Sequence, residues 1–446
     1  MKNKLIAVCL IFCLHTSQAQ NRQGEAPLQV SPAVTRVLID SIRQSMYRNY
    51  IFPDTAGKMT AYLEEEYKKG AYKDITDPLQ LADRLQQDLQ KVHHDGHFNL
   101  RYAPPFAREL SDTTRMAERG RSMDSMALVN QKAGNFGFHK VEIVSGNIGY
   151  LQFHGFSGFI REARPTITAA FRFLSNTRAL IIDLRENGGG SPVMVSQIES
   201  YLFPEKTHLN DIIDRSQNRK IEFWTDPEKA EGLTLRMPVY ILTSRRTFSG
   251  AEDFTYGLQS VKRATIIGDT TGGGAHPVRP FPVGQGFVAS IPFARSLNPY
   301  THTDWEGTGV IPDIPVPAGK ALEKAEEVIF TDLVANATTD EEKRKVQWQL
   351  NDLIARRSAP TVDSAAVAPY TGRYQGGLVF YVDRSVLYCK NAERGNDVFK
   401  LSPISASKFQ LDENVQVEFT KDDKGNASGI NMWWSDGRMT YKPKIK

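Results

Sequence analysis

Apolar positions recur at helical spacing between Ser31 and about Lys91. Val37, Leu38 and Ile42 share one face, as do Leu79, Leu81 and Leu85, where a strand would alternate. Asp77-Pro78 supplies a cap and first-turn pair for the last of these helices. Residues 101–135 are polar and Met-rich, and read as a cap or mobile loop over another part of the molecule. From Phe136 the period changes. Two alternating apolar runs, 136–144 and 147–153, flank Ser145-Gly146 and predict a hairpin. A helical stretch (161–174), a strand apolar but for Asp183 (179–184), a glycine cluster and a second helix (192–202) follow. Residues 239–243 and 265–268 predict two more buried strands, with a helix over 250–258 between them. Strands alternating with helices predict a layered α/β core. Its chemistry should gather where strand ends meet helix starts.

Two amphipathic helices rich in Lys and Glu are expected over 322–335 and 341–356, and Ser358-Ala359-Pro360 marks a linker. Beyond it, short alternating runs at 378–382, 386–388 and 415–419, with turn residues such as Asp423-Lys424-Gly425-Asn426, predict a small β-rich domain. The chain thus divides into a helical N-terminal domain (20–100), the cap (101–135), a core (136–320), a helical linker (321–360) and the β-rich domain (361–446).

The first nineteen residues stand apart. Lys2 and Lys4 precede a ten-residue apolar run, then Ser17-Gln18-Ala19, which is the layout of a secretory signal peptide. Cleavage is expected after Ala19. The run is too short to span a bilayer, and no later segment approaches twenty apolar residues. Without the signal, 53 basic residues face 51 acidic ones, a net charge of +2 in place of +4. So near-neutral a chain gives no charge argument for nucleic acid or anionic membrane. Cys9 and Cys13 leave with the signal, so Cys389 stands alone and core packing, not disulfides, must stabilise the fold. The expectation is an exported protein of a bacterial periplasm or exterior; oligomeric state is not encoded in any of these features.

Four short segments carry the candidate chemistry. Thr247-Phe248-Ser249-Gly250-Ala251-Glu252 follows an apolar strand and opens a helix. A serine there has its hydroxyl at the positive end of a helix dipole, and Gly250 offers an unobstructed N–H. The plain alternative is that Ser249 only caps the helix. Asn187-Gly188-Gly189-Gly190 follows another strand; its glycines suit an oxyanion hole, a sharp turn or a phosphate loop, but no P-loop lysine follows. Asp95-Gly96-His97-Phe98 provides a general-base histidine. His93, His94, Asp95 and His97 could instead hold a metal, although no H-E-x-x-H pattern accompanies them. Glu306, in Trp305-Glu306-Gly307-Thr308-Gly309, could orient and charge-stabilise an imidazolium. Gly155-Phe156-Ser157-Gly158 is a decoy, its second glycine one residue early for G-x-S-x-G.

In this order, the four segments resemble the tail-specific serine peptidases. That family includes C-terminal processing peptidases, the tricorn core and retinoid-binding protein repeats. The resemblance rests on Asp95–Phe98, on the stretch from Ile181 to Gly189, on Thr247–Glu252 and on Glu306–Asp313, and covers roughly residues 30–320. It implies a crotonase/ClpP-like layered αβ core and an exported endopeptidase or carboxy-terminal processing activity on peptides or proteins, with no metal or cofactor. It further implies Ser249 as nucleophile, His97 as general base, Glu306 as the acid of the relay, and Gly250 with Gly189 as the oxyanion hole. The branch is the one without a PDZ domain, since 101–135 is too short for one and no lysine follows Ser249 before Lys262. One departure stands out. The tricorn pattern has a serine before the histidine, and this chain has Gly96, so Glu306 reaches His97 directly or through water, or Asp95 takes part. A non-catalytic binder of peptides or apolar ligands on the same fold is the rival reading. A carbohydrate-binding role for the β-rich domain, through Trp433, Trp434, Tyr381 and Tyr388, is a third.

Overall fold

The computed structural model describes residues 29–112, 125–359, 361–391, 393, 395 and 397–445. The expected signal peptide with Cys9 and Cys13, and Pro360 of the expected linker, lie outside them. Among the described residues, twelve strands precede residue 320. In chain order they are β1 (Asn99–Tyr102), β2 (Phe138–Val144), β3 (Ile148–Phe153), β4 (Ala179–Asp183), β5 (His208–Asp214) and β6 (Arg219–Trp224). Then come β7 (Val239–Thr243), β8 (Ala264–Gly268), β9 (Val278–Gly284), β10 (Phe287–Pro292), β11 (Ala294–Leu297) and β12 (Ile314–Pro315).

The central sheet runs β12-β8-β7-β4-β3-β2. Its strands pair in parallel except β2, which joins β3 as the expected hairpin. Every residue of β4 and β7 is buried, because alternate side chains enter different cores. Leu180, Ile182 and Ile241 pack under the helices Ile160–Phe173, Pro192–Glu199 and Gly250–Ser260. Ile181, Tyr240 and Leu242 pack on Ala325, Ile329, Phe330 and Leu353 of the helices Ala321–Ala335 and Asp340–Arg357. Residues 321–357, expected as a linker, are therefore the second helical layer of the core. Their apolar stripe is what closes the sheet's other face.

Two further expectations are revised. Part of the expected cap is ordered structure: β1 pairs antiparallel with β10, and the helix Pro104–Ser111 follows it. Nor is the N-terminal unit purely helical. Helices Pro32–Asn49, Pro53–Lys68 and Pro78–Val92, each opening on proline, bury Leu38, Ile42, Leu63, Leu81 and Leu85. The same core takes Leu100 from β1, Val283 from β9 and Phe287, Ala289 and Ile291 from β10. A hairpin nearly two hundred residues downstream thus completes the unit, and its short, Pro-punctuated run gave no sign of partnership with distant helices.

The remaining small sheet, β11-β5-β6, lies beside the core. The C-terminal region forms a nine-stranded antiparallel arrangement between Gly372 and Ile445 around Tyr374, Phe380, Phe409 and Phe419. It is joined to the core's outer helix by buried amides. Asn351 Nδ2 donates to Gln416 Oε1 at 2.9 Å, and Gln416 Nε2 donates to the Trp348 carbonyl at 2.8 Å.

Because Phe287 is fully buried in the shared N-terminal core, Phe287→Ala should cost about 3–5 kcal/mol. Its hydrogen exchange should quicken in the helices of residues 32–92 as well as in the hairpin. Acceleration confined to residues 278–292 would show that the helices fold without the hairpin.

Candidate active site

The strand β7 delivers the chain to a turn, Ser244 to Thr247, that is lashed to the end of β4. Ser244 Oγ donates to the Arg185 carbonyl at 2.5 Å and Thr247 Oγ1 to the Leu184 carbonyl at 2.8 Å. Below it, Arg185 forks onto the buried Asp183, which also accepts from Tyr150 Oη. Asp183 and Arg185 of the expected motif are thus an anchor for the strand end rather than reacting groups.

Beyond the turn, Ser249 takes φ 53°, ψ −119°, a region costly for any residue with a side chain. The strain persists because its neighbours fix it. The Ser249 N–H donates to Glu252 Oε2 at 2.8 Å, and the helix Gly250–Ser260 starts at the next residue. A serine on a strained strand-to-helix turn holds its hydroxyl clear of the sheet, at the positive end of the helix. By contrast, the decoy Ser157 turns inward and accepts the Phe159 N–H.

Glu252 does more than cap. Its buried carboxylate also accepts from Thr271 Oγ1 at 2.5 Å, Gly273 N at 2.6 Å and Gly274 N at 2.8 Å. One side chain therefore ties the Ser249 turn to the second glycine cluster. Gly274 in turn lies against the His97 ring: a Cβ there would sit 2.5 Å from His97 Cε1. Phe248, adjacent to Ser249, packs on His97 with ring centroids 4.9 Å apart. These contacts bring Ser249 and His97 to one loop cluster. The described residues include no hydrogen bond between the two; in free enzymes such bonds are often loose and tighten with substrate.

The first glycine cluster closes on the same turn. At Gly189 (φ 97°) a Cβ would lie 2.6 Å from both the Gly250 nitrogen and the Phe248 carbonyl oxygen, so only glycine fits. Its own N–H, however, donates to Asn187 Oδ1 at 2.9 Å. The N–H groups of Gly190 and Gly250 have no acceptor among the described residues, and the two glycines are in close approach.

His97 and Glu306 face each other, Nδ1 to Oε2 at 3.8 Å, too far for a hydrogen bond, and His97 Nδ1 has no hydrogen-bond partner among the described residues. Gly96 adds nothing between them. Glu306 Oε2 accepts the Ala275 N–H at 2.6 Å. Asp95 is fully buried; it accepts from Tyr50 Oη at 2.9 Å and from the His97 N–H at 2.9 Å. It thus holds the His97 backbone and also acts on the ring through its charge. His93 and His94 are not in the cluster. A residue that sequence reasoning missed is: His276 lies 3.6 Å from Asp95 and 3.5 Å from Glu306. Its only sequence signal was its place just after Gly272-Gly273-Gly274.

Burial pulls the His97 pKa down to about 4; His276 adds to that pull and Asp95 opposes it. Burial lifts Glu306 to about 7, against the pull of His276 and the Ala275 N–H. Asp95 stays below the ordinary carboxylate range: burial would raise it, but the His276 contact and the His97 N–H outweigh that. Asp95, His97 and Glu306 bring ligand-type atoms within 4.8 Å of one another, as do His208, Asp211 and Glu222 on β5 and β6. In both groups protein cations or N–H donors already engage the carboxylates.

Ser249 opens onto a cleft of about 380 Å³. Its apolar walls include Ile212, Ile221, Phe223 and Phe293, with Asp253 one helical turn beyond the serine. A layered α/β core with a strained serine where a strand gives way to a helix, and a buried histidine and glutamate beside it, is the arrangement expected of a serine-type peptidase. Comparison with known proteins gives the particular family. The model described as peptidase family S41 matches residues 147–316, and that of the N-terminal domain of Peptidase_S41 in eukaryotic IRBP matches residues 28–131. The chain thus carries a peptidase family S41 domain, preceded by the N-terminal domain of that family.

Among named relatives, it is similar to the chloroplastic carboxyl-terminal-processing peptidase 2 of Arabidopsis thaliana, 28% identical over 187 residues, which are 41% of this chain and 34% of that protein. A carboxy-terminal-processing protease of Bartonella bacilliformis is 27% identical over 180 residues, 39% of each chain. The chain thus spans well under half the length of these relatives. Among solved structures, the photosystem II D1 C-terminal processing protease aligns over 64% of this chain and 93% of its own, at 17% identity and TM-score 0.43. The tricorn protease aligns over 67% and 36%, at 13% identity and TM-score 0.41.

The two shifted groups act oppositely on stability. His97, depressed when folded, gives stability that is full above its unfolded value near 6.5 and is lost as pH falls toward about 4. Glu306, raised when folded, gives stability that is full below about 4.5 and lost as pH rises through about 7. Between pH 4.5 and 6.5 the slopes offset. His97→Asn should therefore lose stability from pH 5 to pH 7 relative to the unaltered chain, measured by urea unfolding at both. An unchanged difference would place the His97 proton elsewhere.

Proposed function

We propose that the chain is an exported serine endopeptidase or carboxy-terminal processing peptidase, acting through a Ser249–His97–Glu306 relay and an acyl-enzyme. The observation that carries this reading is the strained Ser249 turn, held by Glu252 to the loop under His97. A backbone conformation this costly, at a serine that faces a cleft from a helix N-terminus, is the kind of strain that clusters at active sites.

In the first half-reaction, His97 takes the Ser249 Oγ proton as Oγ attacks the scissile carbonyl. Its low basicity keeps it neutral, and so able to accept, at neutral pH. The imidazolium that forms is stabilised by ionised Glu306 at 3.8 Å. The carbonyl oxygen, now negative, is held by the N–H groups of Gly250 and Gly190. Gly189, the donor implied by the resemblance, holds the loop in place instead, through Asn187. His97 then returns the proton to the leaving amine, and water, activated the same way, releases the acyl group. The apolar cleft suits a peptide side chain next to the scissile bond. The basic-apolar-small pattern of residues 1–19 supports export to a periplasm or exterior.

A fluorophosphonate probe should label Ser249, and Ser249→Ala should reduce peptide hydrolysis by about 10⁴-fold or more while leaving the unfolding midpoint close to that of the unaltered chain. Retained turnover, or no labelling of the unaltered chain, would favour a binding protein on the same fold. For export, N-terminal sequencing of the protein recovered outside the cytoplasm should begin at Gln20; a chain retained inside and starting at Met1 would overturn that part.

A further inference from the structure

Beside the relay lies a buried ionisable side chain that it does not use. His276 is 2% exposed, and neither ring nitrogen has a hydrogen-bond partner among the described residues. Its Nδ1 stands between Asp95 Oδ2 at 3.6 Å and Glu306 Oε2 at 3.5 Å. Phe52 meets the ring edge-on, with centroids 5.5 Å apart. Two carboxylates in one buried site repel each other, and one would take up a proton unless a cation lay between them.

We propose that His276 is a positioning residue of this site, an imidazolium that bridges Asp95 and Glu306, favours the ionised form of Glu306 and directs it at His97. The proposal rests on the peptidase reading above. Glu306 Oε2 is the shared atom. It accepts the Ala275 N–H at 2.6 Å, with His276 Nδ1 at 3.5 Å on one side and His97 Nδ1 at 3.8 Å on the other. When His97 gains the serine proton, the carboxylate shifts its main ionic contact from His276 to His97. Gly96 has no side chain to make that link, so it runs through the placement of Glu306.

The groups around His276 come from three elements. Tyr50 ends the first helix and donates its hydroxyl to Asp95. Asp95 and His97 lie in the turn after the third helix, and Asp304 and Glu306 in the loop before β12. Burial lowers the affinity of His276 for a proton, but Asp95, Glu306 and Asp304 together outweigh it, and its pKa lies above the ordinary value.

His276→Gln removes the cation and keeps the size. Glu306 beside Asp95 should then ionise only at higher pH. The acid limb of kcat/KM should move up by about one pH unit, with kcat down by about tenfold or more and KM within about twofold. Adding Asp95→Asn removes the repelling charge and should bring the limb back down, which a merely packed ring would not do. An acid limb unmoved in His276→Gln overturns the proposal. A readout independent of turnover and of that variant's folding is NMR titration of histidine rings in the full Ser249→Ala chain. There the His276 ring should stay protonated above pH 7; loss of its proton below about pH 6 overturns the proposal. Failure of the probe to label Ser249 would instead sink the peptidase reading, while the titration still decides the charge on His276.

Discussion

The site depends on one buried carboxylate that takes no part in the chemistry. Glu252 accepts hydrogen bonds from the Ser249 N–H, the Thr271 hydroxyl and the N–H groups of Gly273 and Gly274. The Thr271, Gly273 and Gly274 donors would otherwise be buried without an acceptor, at a cost of about 1–3 kcal/mol each. Four donors on one carboxylate hold the serine turn in its strained conformation. They also set the height of the floor beneath His97. Glycine is required at position 274 because any side chain would collide with His97 and Phe248. The placement of Ser249 relative to His97 is thus set by backbone packing.

The ionisable groups are arranged by the same economy of space. His97, Glu306, Asp95 and His276 are all largely buried, so each charge is felt by the others at low dielectric. Burial makes His97 a weak base and Glu306 a weak acid, and in both the removal of water is the largest cause. The partners then decide which group carries charge. His276 offsets the two acids, and Tyr50 with the His97 N–H satisfies Asp95.

The elements that carry these groups come from three separate stretches of chain. The turn with Asp95 and His97 follows the third N-terminal helix, and the β9–β10 hairpin that begins two residues after His276 returns to pack on that helical unit. Histidine, glycine floor and hairpin are therefore coupled by one hydrophobic core, distinct from the two cores that sandwich the central sheet. The outer helices, expected as a helical linker, owe their place to the apolar stripe that covers Ile181, Tyr240 and Leu242.

The sequence by itself determined the layered α/β class, because all-apolar strands can only be buried on both faces and the helical period is distinct from the strand period. It also identified Ser249, His97 and Glu306 as candidates, because a serine opening a helix after a buried strand, and a glutamate among glycines, are local features. Tertiary structure alone decided the rest. Whether Glu306 reaches His97 without a residue at position 96 is a distance, 3.8 Å, set by loops far apart in the chain. That Gly189 commits its N–H to Asn187, leaving the neighbouring Gly190 N–H free, depends on a side-chain rotamer and not on residue type. His276 had no motif to mark it, since its character comes from two carboxylates that are 181 and 30 residues away along the chain and within 3.6 Å of it in space.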